Sequence, residues 1–352
     1  MANRIPVAVI AATGSVGQRF VQLLDGHPWF EVVALTGSEG RVGQTYEETC
    51  HWMLTDSMPE CVRNIPVVPS TPEAANVPIV FSALPSKYAT EIEAAFAHAG
   101  VGVFTNAGAY RRDPTVPILV PEVNADQIEL IPIQQKEKCW PGFIITNPNC
   151  TSMGMTVALK ALDEAFGVLR AFAVSLQAIS GAGYPGVASL DILDNVIPFI
   201  AGEEEKVEWE PRKMIGKVVD GQLKLADFQL SVHTNRVAVS DGHTVCLSVE
   251  FEREPDLREA VEVLSQYQAP ECARDLPSTP DPVVFVHPDQ DRPQPRLDRL
   301  TGRGMTTVVG RIRPDPLFHL KMVVLSHNTI RGAAGGSIYN AELMVNEGLV
   351  VN

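Results

Sequence analysis

PVAVIAATGSVG, residues 6–17, opens with an apolar run, passes through a glycine-containing turn and leads into amphipathic sequence. Pro6–Ile10 is too short for a helix and is bounded by turn residues, the pattern of a buried strand. Residues 14–25 then carry Val16, Phe20, Leu23 and Leu24 on one side of a helix. Between them, Ala11-Ala12-Thr13-Gly14-Ser15-Val16-Gly17 stands where a phosphate-binding turn belongs. Glycines there admit backbone N–H groups to a pyrophosphate, and the positive end of the helix dipole favours its charge. Ala11 replaces the usual first glycine, and a tight strand–helix turn without a ligand is the alternative reading.

The alternation continues downstream. EVVALT (31–36), VPIVFSAL (77–84) and VGVFTN (101–106) read as strands, with a helix at about 88–99. Strands alternating with helices predict a parallel, doubly wound, Rossmann-like sheet in an α/β first domain. An NAD site would end the second strand in an acidic residue for the ribose 2′-hydroxyl. Here the strand runs into Gly37-Ser38-Glu39-Gly40-Arg41, in which Ser38 and Arg41 suit a 2′-phosphate and Glu39 argues the other way, so NADP is favoured. The second half differs in texture. Strands are expected at 172–177, 245–251 and 307–312, the middle one alternating Val245, Leu247, Val249 and Phe251 with more polar residues. That period predicts an α+β second domain with a mixed or antiparallel sheet covered on one face. Residues 270–304, rich in Pro, Asp and Arg, read as a long ordered loop or interface arm without a core, and 331–349 as Ala/Gly-rich and then helical.

The 352 residues suggest about two domains, at roughly 150 residues each. Lys plus Arg number 28 against 42 Asp plus Glu, a net charge of −14, which argues against a nucleic-acid or anionic-membrane binder. No apolar run reaches the ~18 residues of a membrane span, and Met1–Pro6 has no secretory character, so a cytoplasmic protein is expected. The six cysteines show no C-x-x-C pair or zinc-like spacing, so free thiols and no metal site are expected.

One cysteine stands apart. Asn147-Pro148-Asn149-Cys150-Thr151-Ser152 follows the apolar run 143–145 and opens a helix-like stretch carrying Val157, Leu162 and Phe166. A helix N-terminus lowers a thiol pKa, and its first free N–H groups can hold an oxyanion, so Cys150 is a candidate nucleophile; an inert buried cysteine is the alternative. In SVHTNRVAVSDGHT (231–244), His243 after the Asp241-Gly242 turn could shuttle protons and Arg236 could clamp a carboxylate, with His233 a competing histidine. Arg111 and Arg112 just past the strand at 101–106, and Lys206 after Glu203-Glu204-Glu205, are candidate anion sites; Glu204 and Glu205 read as solvated surface charge. A protein of this charge that binds anions needs local positive charge, and Arg41, Arg111, Lys206 and Arg236 are expected to converge in one cleft.

The turn at 11–17 together with NPNCTS (147–152), SLQAISGAGYPG (175–186), AGEEEK (201–206), RVAVSDGHT (236–244) and NTIRGAAGG (328–336), in this order, closely resembles the aspartate-β-semialdehyde dehydrogenase family. The GEEEK segment and the DRPQPRLDR arm (291–299) resemble its archaeal and fungal-type branch. The resemblance implies a reversible, NADP-dependent reductive dephosphorylation of aspartyl phosphate to aspartate semialdehyde, in the biosynthesis of lysine, threonine, methionine and isoleucine, through an acyl-thioester on Cys150. It implies His243 as general acid/base, Gln177 as orienter of the acyl group, Arg236 on the substrate α-carboxylate and Glu203 on its amino group. It further implies Arg111 and Lys206 as the phosphate pair, with Arg112 as a rival. Thr13, Gly14, Ser15 and Val16 would take the pyrophosphate, Ser38 and Arg41 the adenosine phosphate, and Gly181 and Asn328 the nicotinamide side. The implied domains are 1–149, completed by 329–352, for NADP, and 150–328 for catalysis and assembly into a homodimer or homotetramer. A malonyl- or succinyl-CoA reductase on the same scaffold, and a catalytically silent NADP-binding subunit, are the competing readings.

Overall fold

The computed structural model describes residues 4–350; the ends of the expected domain ranges, residues 1–3 and 351–352, and Met1–Asn3 of the leader reading lie outside the described residues. Two six-stranded sheets carry the chain. The first is wholly parallel: β1 (Ile5–Ile10), β2 (Phe30–Thr36), β3 (Val67–Val68), β4 (Ile79–Ser82), β5 (Gly102–Thr105) and β6 (Phe143–Thr146), in the spatial order 3-2-1-4-5-6. β4, β5 and β6 are buried at every residue, as strands with both faces covered must be. Ile10, Ser82, Thr105 and Thr146 stand in register across β1, β4, β5 and β6, so the loops that follow these strands gather at one carboxyl edge. Strand order reverses between β1 and β4, where open α/β sheets form their binding crevice.

The second sheet is mixed. It contains β7 (Val168–Gln177), β10 (Gln229–Arg236), β11 (His243–Phe251), β12 (Val284–Val286), β13 (Thr307–Pro314) and β14 (Leu320–Ser326), ordered β10-β7-β11-β14-β13-β12; β8 (Lys217–Val219) and β9 (Gln222–Lys224) form a separate hairpin. Among the described residues six helices reach ten residues or more: α1 (Ser15–Leu24), α2 (Ser86–His98), α3 (Cys150–Phe166), α4 (Glu203–Ile215), α5 (Leu257–Gln266) and α6 (Gly335–Asn346). None is long and apolar enough to cross a membrane.

The placement of α3 matters most for the site. It begins because Asn149 Oδ1 accepts the N–H groups of Thr151 and Ser152, and it ends at Gly167, whose φ of 68° suits a residue without a Cβ. Its apolar residues pack on the inner face of the second sheet, against Val245, Leu247 and Val324. The last helix returns to the first sheet and touches β4 and β5, so chain from both ends builds that layer.

One expectation is corrected. The 270–304 segment contributes to the core: Leu276, Val283 and Val284 are buried, and β12 pairs in parallel with β13. Three apolar residues suffice because a short edge strand needs only one partner's ladder, and the flanking prolines confine it to the edge.

Candidate active site

The carboxyl edge of the first sheet faces the start of α3 and the ends of β7 and β10 across a cleft of about 940 Å³. Arg41, Arg111, Lys206 and Arg236 all line it, as the charge reading expected, together with Thr13, Gly14, Ser15, Val16, Cys150, Gly181, Glu203 and Asn328.

β6 delivers Cys150 to the first position of α3, and β11 begins at His243, 93 residues later in the chain. Cys150 Sγ lies 3.2 Å from His243 Nε2. On the other side of the ring the Ala178 N–H donates to Nδ1 at 3.0 Å. An imidazole nitrogen that accepts carries no proton, so the neutral ring holds its proton on Nε2, aimed at sulfur. Two glycines make the approach possible. A Cβ on Gly332 would come within 2.8 Å of Cys150 Cβ, and one on Gly181 within 3.0 Å of His243 Nε2 and 2.8 Å of Arg236 Nη1.

Burial works against the expected thiolate. Burial pushes the Cys150 thiol up to about 12, with the Glu203 charge adding to the effect and the Arg111 and Arg236 charges opposing it. Burial likewise pushes His243 down to about 3, aided by the positive charge of Arg236. Both shifts favour the uncharged forms of the pair, with loss of water opposing the helix dipole. The expected oxyanion donors are also altered. The N–H groups of Thr151 and Ser152 are taken by the Asn149 cap, which leaves the backbone N–H of Cys150 and the Nε2–H of His243 as donors beside sulfur.

Around this pair, Arg236 at the end of β10 donates from Nη1 to Ala178 O at 2.7 Å. Gln177 ends β7 behind the cleft wall, where its Nε2 donates to Ser175 Oγ and Glu203 Oε1, both at 3.2 Å. Glu203 Oε1 also accepts from Asn149 Nδ2 at 2.8 Å, and its Oε2 lies 3.6 Å from Lys206 Nζ. Arg111 reaches the cleft, whereas the neighbouring Arg112 lies over the Trp209 ring, 4.6 Å from its centroid. His233 is exposed on β10 and meets Phe172 edge-on, away from the thiol. Glu204 is not merely solvated, since its Oε1 accepts the Thr234 N–H at 3.0 Å; Glu205 is exposed.

At the other end of the cleft Ala11 adopts φ of 59°, the left-handed turn that a glycine would take more easily. A Cβ on Gly17 would stand 2.4 Å from Ala11 O, so α1 packs directly on the turn. No side chain caps α1, and its first N–H groups stay open to an anion. Arg41 donates to Thr13 Oγ1, while Ser38 is exposed just past β2 and outside the cleft lining. The Asn328 amide bridges two loops, accepting the Gly242 N–H and donating to Ser180 Oγ, each at 2.8 Å. The residues present thus fit a dinucleotide phosphate.

Comparison with known proteins agrees with this geometry. The semialdehyde dehydrogenase NAD binding domain profile matches residues 6–131, and the semialdehyde dehydrogenase dimerisation domain profile matches 159–331. The aspartate-semialdehyde dehydrogenase of Archaeoglobus fulgidus is 48% identical over 99% of this chain and all of its own length. The chain belongs to the aspartate-semialdehyde dehydrogenase family. The Schizosaccharomyces pombe aspartate-semialdehyde dehydrogenase is 46% identical over 98% of this chain and 99% of its own. A solved aspartate semialdehyde dehydrogenase with NADP, from Candida albicans, superposes with a TM-score of 0.90 at 40% identity, over 99% of this chain and 100% of that one.

Residues that the sequence reading missed are Asn149, Glu210, Lys213 and Gly332. Glu203, Lys206, Glu210 and Lys213 recur at helical spacing, a periodicity that was available once 203–215 was seen as a helix.

Proposed function

We propose that this cleft interconverts aspartyl phosphate and aspartate semialdehyde with NADP, through an acyl-thioester on Cys150. The 3.2 Å contact between sulfur and imidazole, in a cleft shared with Arg111, Lys206 and Arg236, carries this reading. In the reductive direction Sγ attacks the acyl carbon as its proton passes to the leaving phosphate: a C–S bond forms, the C–O bond to phosphate breaks, and hydrogen phosphate departs toward Arg111 and Lys206. The Nε2–H of His243 stabilises the ionised sulfur and then the oxyanion of the thiohemiacetal. Arg236 offers its fork to the substrate α-carboxylate, Glu203 its carboxylate to the amino group, and Gln177, from behind the cleft wall, orients the acyl group by way of the Glu203 carboxylate it holds. NADPH, when bound, would supply the hydride in this direction, and NADP would take it up in the reverse. Thr13, Gly14, Ser15 and Val16 would hold its pyrophosphate, Ser38 and Arg41 its 2′-phosphate, and Gly181 and Asn328 would bound the nicotinamide.

The domain division belongs to the same reading: residues up to 149 with those from 329 as the NADP-binding unit, and 150–328 as the catalytic unit. Return of α6 to the first sheet supports it. A homodimer or homotetramer would form on the outer face of the second sheet, where Phe172, Val174 and Leu176 are half-exposed and Leu169 and Cys246 exposed. Six unpaired thiols support a reducing, cytoplasmic setting.

The test follows NADP reduction by aspartate semialdehyde, with phosphate or coenzyme A as acyl acceptor. Turnover is expected with phosphate and not with coenzyme A; turnover with coenzyme A alone would replace this reading by a CoA-linked reductase.

A further inference from the structure

Glu203, Lys206, Glu210 and Lys213 follow one face of α4, and only the first two have so far been given work. Glu210 is 2% exposed and divides its carboxylate between two parts of the site. Its Oε1 accepts from Arg111 Nη1 at 2.9 Å, and its Oε2 accepts the backbone N–H of Asn149 at 2.6 Å. Asn149 is the cap of α3 and the residue before the nucleophile. Arg111 Nη2 donates to Asn106 O at 2.9 Å, so each terminal nitrogen of the guanidinium retains a second N–H for a ligand.

One turn further along α4, the Lys213 ammonium donates to the carbonyls of Arg111, Asp113 and Val116, each at 2.7 Å. Arg111 is therefore held at both ends, its backbone by Lys213 and its guanidinium by Glu210. A long, flexible side chain on a loop would otherwise lose most of its orientation to rotamer freedom.

We propose that Glu210 is a positioning residue for the acyl-phosphate step: it sets the Arg111 guanidinium and the N-terminus of α3 in one register, so that phosphate is presented to Cys150, while Lys213 anchors the Arg111 loop. The inference rests on the reading of Arg111 as a phosphate ligand. Glu210 touches neither substrate nor sulfur and acts through Arg111 and Asn149.

Glu210→Gln offers one acceptor oxygen where two are used, and its NH₂ group must face either the guanidinium or the Asn149 N–H. The experiment measures KM for phosphate and KM for aspartate semialdehyde separately, in wild type, Glu210→Gln, Glu210→Asp and Arg111→Ala. In Glu210→Gln the phosphate KM is expected to rise by roughly tenfold or more, as for loss of a charged hydrogen bond. The semialdehyde KM should stay within about twofold, and Glu210→Asp, which restores both acceptors at shorter reach, should recover part of the loss. General loosening of the fold would raise both constants together. A phosphate KM unchanged in Glu210→Gln, or an equal rise in both constants, overturns the proposal. Should Glu210→Gln fail to fold, Glu210→Asp is read by the same split: a phosphate-selective rise supports the proposal, and wild-type constants overturn it. If Arg111→Ala leaves the phosphate KM unchanged, the underlying reading of Arg111 fails. If Arg111→Ala raises it and the Glu210 variants do not, only the positioning role falls.

Discussion

Replacing Gly181 by alanine adds one methyl group at the point where the loop after β7 presses on the thiol's partners. The new Cβ would lie 2.8 Å from Arg236 Nη1 and 3.0 Å from both Cε1 and Nε2 of His243, where ordinary contact begins near 3.4 Å. Either the loop or the two side chains must yield by about half an ångström. Neither is free to do so without loss, because the ring is held by the Ala178 N–H and Arg236 by the Ala178 carbonyl. Crowding of this kind costs about 1–3 kcal/mol of stability. Displacement of the ring from sulfur should lower kcat by roughly ten- to a hundredfold, given that a 1 Å error near reacting atoms costs about 10². Movement of Arg236 should raise the semialdehyde KM in parallel. Steady-state kinetics with each substrate varied in turn, alongside a melting curve, reads all three effects. A variant with wild-type kcat and only a raised KM for NADP would refute the reasoning, since Gly181 would then serve the cofactor and not the catalytic pair.

Alkylation of the ligand-free protein by iodoacetamide at Cys150 should climb with pH without a plateau below pH 9. The thiolate is the reactive form and a thiol pushed up to about 12 gains it about tenfold per pH unit; a plateau near neutrality would show a preformed thiolate. At fixed pH, Arg236→Ala should slow that alkylation, because the guanidinium is one of the charges that favour the ionised sulfur. Ala11→Gly should raise the melting temperature by about 2 °C, since it relieves about 1 kcal/mol of left-handed backbone cost at φ 59°; a lower melting temperature would contradict the turn geometry. Arg41→Ala should raise the KM for NADP by roughly tenfold and leave that for NAD nearly unchanged, the outcome for a guanidinium that meets a 2′-phosphate.

Much of this was legible beforehand, for identifiable reasons. The parallel sheet announced itself because β1, β2, β4 and β5 are short apolar runs separated by helical spacing, and burial of β1, β4 and β5 on both faces allows few polar residues. The convergence of Arg41, Arg111, Lys206 and Arg236 was expected because an acidic chain must concentrate cations to hold anions, with the family resemblance choosing which of its 28 Lys and Arg residues do so. Sequence could not reveal the ionisation state of Cys150. A helix N-terminus is a local feature that can be read from NPNCTS, but the burial that overrides it comes from β11, α4 and the 328–336 segment, far away in the chain. The Glu210 bridge was hidden for the same reason, as it joins residues 61 and 99 positions apart. Arg111 and Arg112 were indistinguishable as neighbours; the turn that sends one into the cleft and the other onto Trp209 is set by Lys213, a hundred residues later.

The account stands on one covalent step at one sulfur. Mixing the protein with aspartate semialdehyde and NADP, without phosphate, should produce a rapid burst of NADPH equal to the active sites present, and mass spectrometry of the digest should find an aspartyl group on the Cys150 peptide. Adding phosphate should discharge that adduct and restore turnover, and Cys150→Ser should give no burst. A full burst in Cys150→Ser, or an acyl group carried on any other residue, would contradict the account at its centre.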